Sequence, residues 1–202
     1  ELIPRLLDAD SGSVQIDGID VKNLSVEKLR AGIGYVPQDV FLFSDTLSEN
    51  ISFGYLGAEQ DQIEQAAEEA DILANIDSFQ DGFQTLVGER GITLSGGQKQ
   101  RTSIARALIR KPSILILDDA LSAVDVKTER TILSHLKKHF GKRTVVIVSH
   151  RISAVQDADH IIVLEDGRIT ERGDHAALIF ENGFYASLFA KQQLEQELED
   201  LA

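Results

Sequence analysis

Residues 114–119 read Ile-Leu-Ile-Leu-Asp-Asp, an apolar run that ends in two carboxylates. Such a run is typical of a strand buried on both faces of a parallel sheet. Ligands of parallel sheets bind at the carboxyl ends of the strands, so Asp118 and Asp119 are expected at the edge of a site. One carboxylate suits Mg²⁺, and the second suits a water beside it. The alternative is a pair of solvated acids that merely end a strand.

Outward from this strand, predicted helices and strands alternate along the chain. Strands of this length between helices of 10 to 15 residues indicate an α/β fold with a parallel sheet. Most of residues 39–100 lacks strand signals, and residues 59–74 are acidic and helical, which predicts an inserted helical subdomain. Helices are predicted at 98–110, 126–140 and near Ile152, and strands at 14–16, 34–37, 113–118, 144–149, 161–164 and 168–171. Residues 1–7 are predicted to be the end of a helix, and residues 190–202 a surface helix.

The stretch Leu-Ser-Gly-Gly-Gln at residues 94–98 stands directly before a predicted helix. The start of a helix has unpaired N–H groups and the positive end of the helix dipole, which together attract an anion such as phosphate. Ser95 occupies the N-cap position, and Gly96 and Gly97 let an anion approach the backbone. These features fit a phosphate site and an ordinary capped turn equally well.

His150 follows the second apolar run, residues 145–148. A histidine at the end of a strand can donate to a phosphate oxygen or hold a water. A lone histidine is more often a structural residue, so this position alone does not decide between the two.

Composition narrows the class of protein. The 202 residues carry a net charge of −13, which disfavours non-specific electrostatic binding to nucleic acid or to an anionic membrane. The chain has no cysteine, and therefore neither a disulfide nor a thiolate metal site. Its apolar runs are too short to cross a bilayer. The hydrophobic fraction of 43% is that of an ordinary globular protein.

Taken together, these motifs resemble the ATP-binding cassette of an ABC exporter of the multidrug or lipid type. They occur in the family's order and spacing across almost the whole chain. The matching positions are Gln38 (Q-loop), 88–91 (the short loop before the signature), 94–98 (signature), 114–119 (Walker B), 122–125 (D-loop) and His150 (switch histidine).

The resemblance implies a P-loop NTPase (RecA-like) α/β fold that binds ATP and Mg²⁺. The core would comprise residues 1–38 and 101–180, the helical subdomain residues 39–100, and a helical tail residues 181–202. The cassette would lie at the cytoplasmic face of the membrane, where residues 39–47 and 88–91 meet the coupling helices of a transmembrane domain.

The resemblance also assigns roles to residues. Two cassettes would pair head to tail, homo or hetero, so that the signature of one closes over ATP held by the other. Asp119, His150 and Gln38 would be catalytic, Asp118 and Gln38 would hold the metal, and Asp125 would link the two nucleotide sites. The signature residues that complete the partner's nucleotide site would be Ser95, Gly96, Gly97 and Gln98.

Two departures from the family pattern matter. The phosphate loop G-x-x-x-x-G-K-[S/T] does not occur in the 202 residues, and there is no methionine. We therefore expect a chain that begins a few residues after its own P-loop, an incomplete sheet, and weak binding of ATP by the chain alone.

The second departure is Asp119, where the family usually has glutamate. Shortening the side chain by one methylene withdraws the carboxylate from the attacking water, which favours the weak-site half of a heterodimeric exporter. The alternative is a harmless variation with full activity.

Two further functions stay open on the sequence. The chain could be a non-hydrolysing partner module that lends its signature to a complete cassette. It could also be a soluble ABC ATPase that acts on DNA or ribosomes, which the acidic charge and the exporter-like loop at residues 88–91 disfavour.

Overall fold

The computed structural model describes residues 1–88, 91–137 and 143–200. These residues form two compact units, one within residues 1–147 and one within residues 148–202. The strands are β1 Gln15–Ile16, β2 Ile19–Asp20, β3 Ile33–Val36, β4 Ile114–Asp118, β5 Thr144–Val148, β6 Ile161–Glu165 and β7 Arg168–Gly173. The α-helices are α1 Val26–Ala31, α2 Leu47–Ser52, α3 Gln60–Glu69, α4 Leu73–Ser78, α5 Gly96–Leu108, α6 Val126–Lys137, α7 Ile152–Val155, α8 His175–Glu181 and α9 Phe184–Asp200.

A sheet with strand order β3-β4-β5 forms the centre of the first unit. β3 and β4 run parallel, with Ile33 opposite Ile114 and Val36 opposite Leu117. Leu115 and Leu117 in β4 are fully buried, as the apolar run predicts. The α/β fold class with a parallel sheet is therefore confirmed.

Helices α2, α3 and α4 form the helical region that precedes α5, and α2 and α3 both pack against α5. Its buried residues include Ile51, Ile72 and Ile76, each 1% exposed or less. The acidic segment at residues 59–74 is helical over most of its length, but it is divided between α3 and α4, because Asp71 adopts a left-handed backbone (φ 55°) between them. The predicted boundaries after residues 38, 100 and 180 stay a prediction.

Residues 1–7 form turns instead of the predicted helix end. Arg5 has φ 52°, a left-handed conformation that interrupts a right-handed helix. The N–H of Leu6 nevertheless donates to the carbonyl of Glu1 over 3.0 Å. Together with the bond from the N–H of Arg5 to the carbonyl of Leu2 over 3.1 Å, this bond closes turns and not a helical segment.

The second unit contains the antiparallel pair β6-β7 and the helices α7, α8 and α9. Its core includes Ile152, Ile161, Leu178 and Tyr185. The tail helix begins at Phe184, within the helical tail predicted at residues 181–202 but before the surface helix predicted from residue 190. It begins there because the carboxylate of Glu171 accepts hydrogen bonds from the N–H groups of Phe184 and Tyr185 and so caps α9. The predicted helix over residues 126–140 ends at Lys137 in the described residues, and positions 138–140, 201 and 202 lie outside them.

Candidate functional site

The carboxyl ends of β3 and β4 lie at one edge of the sheet, because Val36 is opposite Leu117 in a parallel register. Gln38 follows Val36 by two residues, and Asp118 and Asp119 follow Leu117 directly. The fold therefore brings the predicted Q-loop amide and both predicted acids to the same edge. We call this edge of the sheet, with these three residues, the acidic edge.

The hydroxyl of Tyr35 donates to Oδ2 of Asp118 over 3.2 Å. Burial and the neighbouring Asp118 carboxylate raise the pKa of Tyr35 above its ordinary value of 10.0. The hydroxyl is thus held in its neutral, donating form, and one carboxylate oxygen of Asp118 has a fixed direction. Sequence reasoning missed Tyr35, although its place in β3 beside the Q-loop is a signal that could have found it.

This raised pKa predicts a pH dependence. A tyrosine whose folded pKa lies above its unfolded pKa stabilises the fold below about pH 10, and this contribution is lost as pH rises through the folded pKa. Ultraviolet titration of wild type against Tyr35→Phe should show that the phenol missing from the variant ionises above pH 10. The stability difference between the two proteins should shrink over the same range. A Tyr35 phenol that ionises at or below the ordinary pKa of 10.0 would contradict the hydrogen bond from Tyr35 to Asp118.

The acidic edge has the donor chemistry that Mg²⁺ takes. Asp118 supplies a carboxylate oxygen and Gln38 an amide oxygen, both hard ligands. Among residues 1–88, 91–137 and 143–200, no group of three or more histidine, cysteine or acidic residues is arranged to hold a metal ion. Mg²⁺ is commonly bound by one or two protein ligands together with waters and substrate phosphates, so these residues fit that ion.

The predicted phosphate-facing residues stand at the start of α5, where they form a capping box. Oγ of Ser95 accepts from the N–H of Gln98 over 3.2 Å, and Oε1 of Gln98 accepts from the N–H of Ser95 over 2.9 Å. Ser95 and Gly96 are exposed, and Gly97 and Gln98 are partly exposed. The helix start therefore faces outward from its own unit and is accessible to a ligand.

The two glycines of the signature pack against the D-loop. A Cβ on Gly97 would lie 2.8 Å from the carbonyl oxygen of Ala123, and a Cβ on Gly96 would lie 3.3 Å from the Cβ of Ala123. Close approach of a helix start to a loop requires residues without side chains. The motif predicts that these glycines admit an anion or allow a tight turn, and the structure adds this packing role.

Asp125 ends the D-loop and caps α6. Its Oδ1 accepts from the N–H of Thr128 over 3.0 Å, and this bond lowers the pKa of the Asp125 carboxyl from its ordinary value. The residue is exposed. Gly96 and Gly97 pack against the loop that immediately precedes Asp125. Asp125 therefore presents a negative charge on the same surface as these two glycines.

Gln100 connects α5 to the loop that follows the acidic edge. It is only 6% exposed, its Nε2 donates to Oγ of Ser122 over 3.1 Å, and its Oε1 accepts from the N–H of Ala123 over 2.9 Å. Nε2 also lies 3.5 Å from the carbonyl of Asp119. The side-chain amide of Gln100 thus holds α5, the helix that begins with the signature, against the loop between Asp119 and Asp125. Sequence reasoning missed this residue.

Replacing Gln100 with leucine is expected to lower the free energy of unfolding by about 2 kcal/mol, because each of the two short bonds contributes about 1 kcal/mol. Leucine has a similar volume, so the loss reports the bonds and not a cavity. Chemical denaturation measures it. The matched control is Lys99→Leu at the neighbouring exposed position, expected within about 0.5 kcal/mol of wild type. Equal losses in the free energy of unfolding in the two variants would contradict the hydrogen-bonded connection through Gln100.

His150 belongs to the second unit and follows the end of β5. Its carbonyl accepts from Nε2 of Gln192 in α9 over 2.8 Å. Oγ of Ser149 accepts from the N–H of Arg151 over 3.0 Å. The backbone on both sides of the predicted switch histidine is therefore fixed within its own unit.

Exposed apolar residues cluster after the Q-loop. Phe41 and Phe43 meet edge to face with ring centres 5.2 Å apart, and the rings of Phe43 and Phe53 are 4.4 Å apart. The exposed fractions are 66% for Phe41, 56% for Phe53 and 83% for Leu56. We call Phe41, Phe43 and Phe53 the aromatic patch.

Arg106 of α5 supports the aromatic patch from behind. Its Nε and Nη2 donate to the carbonyl and to Oδ1 of Asn50, each over 2.7 Å, and its Nη1 donates to the carbonyl of Phe41 over 2.9 Å. The guanidinium carbon lies 5.4 Å from the ring centre of Phe43. Burial lowers the pKa of Arg106 from its ordinary value. Sequence reasoning missed Arg106 as well.

The short loop predicted at residues 88–91 is described only at its ends, because Glu89 and Arg90 lie outside the described residues. Gly88 has φ 98°, and a Cβ there would lie 2.6 Å from Oγ of Ser44. The backbone of Gly88 therefore lies close to Ser44, in the segment that follows Gln38. In the part of the chain that the structure describes, no helix has the length and apolar character needed to span a bilayer.

Comparison with known proteins agrees with this architecture. Residues 1–122 match the family described as ABC transporter. The chain is 46% identical over 196 residues to ATP-binding cassette sub-family B member 6 of Xenopus tropicalis, which covers 97% of this chain and 23% of that protein. It is 46% identical over 191 residues to the uncharacterized ABC transporter ATP-binding protein YwjA of Bacillus subtilis, covering 95% of this chain and 33% of the relative.

Among solved structures, the chain matches a bacterial Atm1-family ABC exporter with ATP bound, with a TM-score of 0.90 and 43% identity over 95% of this chain and 34% of that one. The acidic edge, the signature helix and these matches define an ATP-binding cassette fold. The chain belongs to the ABC transporter family, as its motifs predict. It spans between 23% and 34% of the length of these relatives.

Proposed function

We propose that this chain is the nucleotide-binding part of an ABC exporter, which binds ATP and couples its hydrolysis to export. The observation that carries the proposal is the placement of two half-sites. The half-buried Asp118 and Asp119 lie at the carboxyl end of β4, and the start of α5 presents Ser95 and Gly96 to solvent. A helix start that is exposed in its own unit is suited to the nucleotide of a second cassette.

In this proposal each residue has a distinct task. Mg²⁺, when bound, would neutralise charge on the β- and γ-phosphates. Asp118, directed by Tyr35, and Gln38 would hold the ion, and Asp119 would position the attacking water. His150 would donate to the γ-phosphate. The signature residues that close over the phosphate held by the partner are Ser95, Gly96, Gly97 and Gln98, and Asp125 would link the two sites.

The partners follow from the two exposed surfaces. The start of α5 and Asp125 would meet a second cassette, of the same or a different chain. The aromatic patch would meet the coupling helices of a transmembrane domain, because its exposed rings form an apolar surface backed by Arg106. The cassette would then lie at the cytoplasmic face of the membrane. Nucleic acid is disfavoured by the net charge of −13.

Photolabelling can test the split site. An ATP analogue with an azide on its γ-phosphate should label residues 95–98 in the assembled exporter, meaning the transporter that contains this chain. The same analogue should not label residues 95–98 in the chain alone. A site complete within one chain would give equal labelling in both samples, and no labelling of residues 95–98 in the assembly would also contradict the proposal. A Ser95→Arg variant serves as control, since its bulk should block the site.

The chain alone is expected to bind ATP weakly. No G-x-x-x-x-G-K-[S/T] loop occurs among its 202 residues, and that loop supplies the lysine and the N–H groups that hold the β- and γ-phosphates. Calorimetric titration of the chain with Mg²⁺-ATP measures the affinity. Micromolar binding would contradict this expectation without affecting the photolabelling test.

A further inference from the structure

The tail helix α9 contacts the backbone around His150 through one amide side chain. Nε2 of Gln192 donates to the carbonyl of His150, and Oε1 of Gln192 accepts from the N–H of Ile152, both over 2.8 Å. The amide therefore spans the backbone from one side of Arg151 to the other. A single side chain that supplies both a donor and an acceptor fixes both the position and the orientation of the bonded backbone.

The helix that carries Gln192 is itself anchored within the same unit. The carboxylate of Glu171 in β7 caps its first turn, and the hydroxyl of Tyr185 lies 2.8 Å from Nδ1 of His175 in α8. Gln192 lies eight residues beyond Phe184, or about 12 Å along the helix axis. A helix fixed at its start can thus hold the His150 segment in one place.

We propose that Gln192 is a positioning residue for His150, so that the tail helix sets the direction in which the predicted switch histidine points. The inference rests on the proposed function, because it assigns His150 a role in ATP hydrolysis. It goes beyond the proposed function by giving α9 a task at the site. The amide acts through the backbone and touches no reacting atom in this proposal.

The choice of glutamine follows from the bonding pattern. A glutamate at position 192 would still accept from the N–H of Ile152, but it would turn a second oxygen towards the carbonyl of His150 and repel it. An alanine would remove both bonds. Gln193 is exposed on the next position of the same helix, so Gln193→Glu introduces the same charge without touching the bridge and is the matched control.

The first arm of the test measures hydrogen exchange in the full chain by mass spectrometry. A peptide that contains Ile152 should exchange about fivefold faster in Gln192→Ala than in wild type, since its N–H loses an acceptor. Gln193→Ala should leave that exchange unchanged, and thermal unfolding should show that both variants are folded. Unchanged exchange in Gln192→Ala would overturn the bridge.

The second arm measures ATP hydrolysis by the assembled exporter. Gln192→Glu should lower kcat on the order of tenfold and leave KM for ATP nearly unchanged, because a displaced catalytic group affects chemistry more than binding. In a His150→Ala background, Gln192→Glu should have no further effect, since both changes act on one group. A loss of the same size in that background, or an equal loss from Gln193→Glu, would overturn the proposal.

The two arms separate the positioning role from the proposed function. If His150→Ala alone retains wild-type hydrolysis, the role of His150 in the proposed function is wrong and the positioning role falls with it. If His150→Ala lowers kcat but Gln192→Glu does not, the proposed function stands and the positioning role is overturned.

Discussion

Replacing Asp119 with glutamate is expected to raise ATP hydrolysis by the assembled exporter on the order of 10- to 100-fold at this site. Asp119 follows β4 directly at the acidic edge. In the proposed function its carboxylate must come within about 2.6–3.2 Å of the attacking water to position it. One added methylene would carry the carboxylate more than an ångström outward and so bring it closer to that water. The measurement is kcat with the same partner subunit throughout.

The backbone conformation at Asp119 means that the substitution that raises hydrolysis should also lower stability. Asp119 has φ 48°, in the left-handed region that aspartate tolerates better than glutamate. We therefore expect Asp119→Glu to lower the free energy of unfolding by about 0.5–1 kcal/mol while kcat rises. Thermal unfolding records the first effect and kcat the second, so the two are measured independently.

Asp118→Glu is the matched control, because it adds the same methylene to the neighbouring acid. Oδ2 of Asp118 accepts from the hydroxyl of Tyr35, and a longer side chain would break this geometry. Hydrolysis should therefore fall in Asp118→Glu and rise in Asp119→Glu. An unchanged or lower kcat in Asp119→Glu would favour the alternative that aspartate at this position is harmless variation.

The sequence predicted the central strands well, for a simple physical reason. The apolar run at residues 114–117 can be buried on both faces only in a sheet covered by helices, and Leu115 and Leu117 are fully buried. The run at residues 145–148 also forms a strand, but it is only partly buried, with Val148 51% exposed. The structure places β4 at Ile114–Asp118 and β5 at Thr144–Val148, within one residue of the predicted ends. Order along the chain and strand direction then place Gln38 at the same edge of the sheet as Asp118 and Asp119 without any knowledge of side chains.

The break between α3 and α4 and the start of α9 were not predicted, because they do not follow from a repeating pattern. The acidic segment at residues 59–74 has helical periodicity throughout, and periodicity cannot show that Asp71 adopts a left-handed backbone. The start of α9 at Phe184 depends on Glu171, which lies 13 residues earlier and in another element. Both features depend on single residues or tertiary contacts and not on a repeating pattern.

The residues that support the candidate site were also missed, because their partners are distant in sequence. Gln100 bonds to Ala123, Arg106 to Asn50, and Gln192 to His150. A polar residue on a helix normally indicates a solvent-facing position. One signal was present: Gln100 lies one turn before Ile104, on the buried face of α5. A polar residue on an apolar face indicates a buried hydrogen-bond network.

Replacing Arg106 with methionine is expected to lower the free energy of unfolding by about 3 kcal/mol. The guanidinium donates three hydrogen bonds, two to Asn50 and one to Phe41, and methionine can replace only the packing of the aliphatic stem. Asn50 is fully buried, so its oxygen loses a charged donor that water does not readily replace. Chemical denaturation of the chain measures this loss.

Arg106→Lys separates charge from shape. Lysine keeps the positive charge but lacks the planar fork that reaches Asn50 and Phe41 together, so most of the loss should remain. Arg110→Met, at an exposed position just beyond α5, is the control and should lie within about 0.5 kcal/mol of wild type. Full stability in Arg106→Lys would mean that charge alone supports the segment, which would contradict the bonded geometry.

The same hydrogen bonds place Arg106 between the two proposed interfaces, the aromatic patch and the start of α5. Arg106 holds Phe41 of the aromatic patch, and it lies eleven residues after Ser95, about 16 Å along α5. In the proposed assembly, a displacement of the patch by a transmembrane partner would therefore be transmitted to α5, the helix whose start would face a second cassette. In the assembled exporter, Arg106→Lys should reduce the stimulation of hydrolysis by transported substrate more than it reduces basal hydrolysis. An equal reduction of both rates would mean that Arg106 stabilises the helical region without coupling the two surfaces.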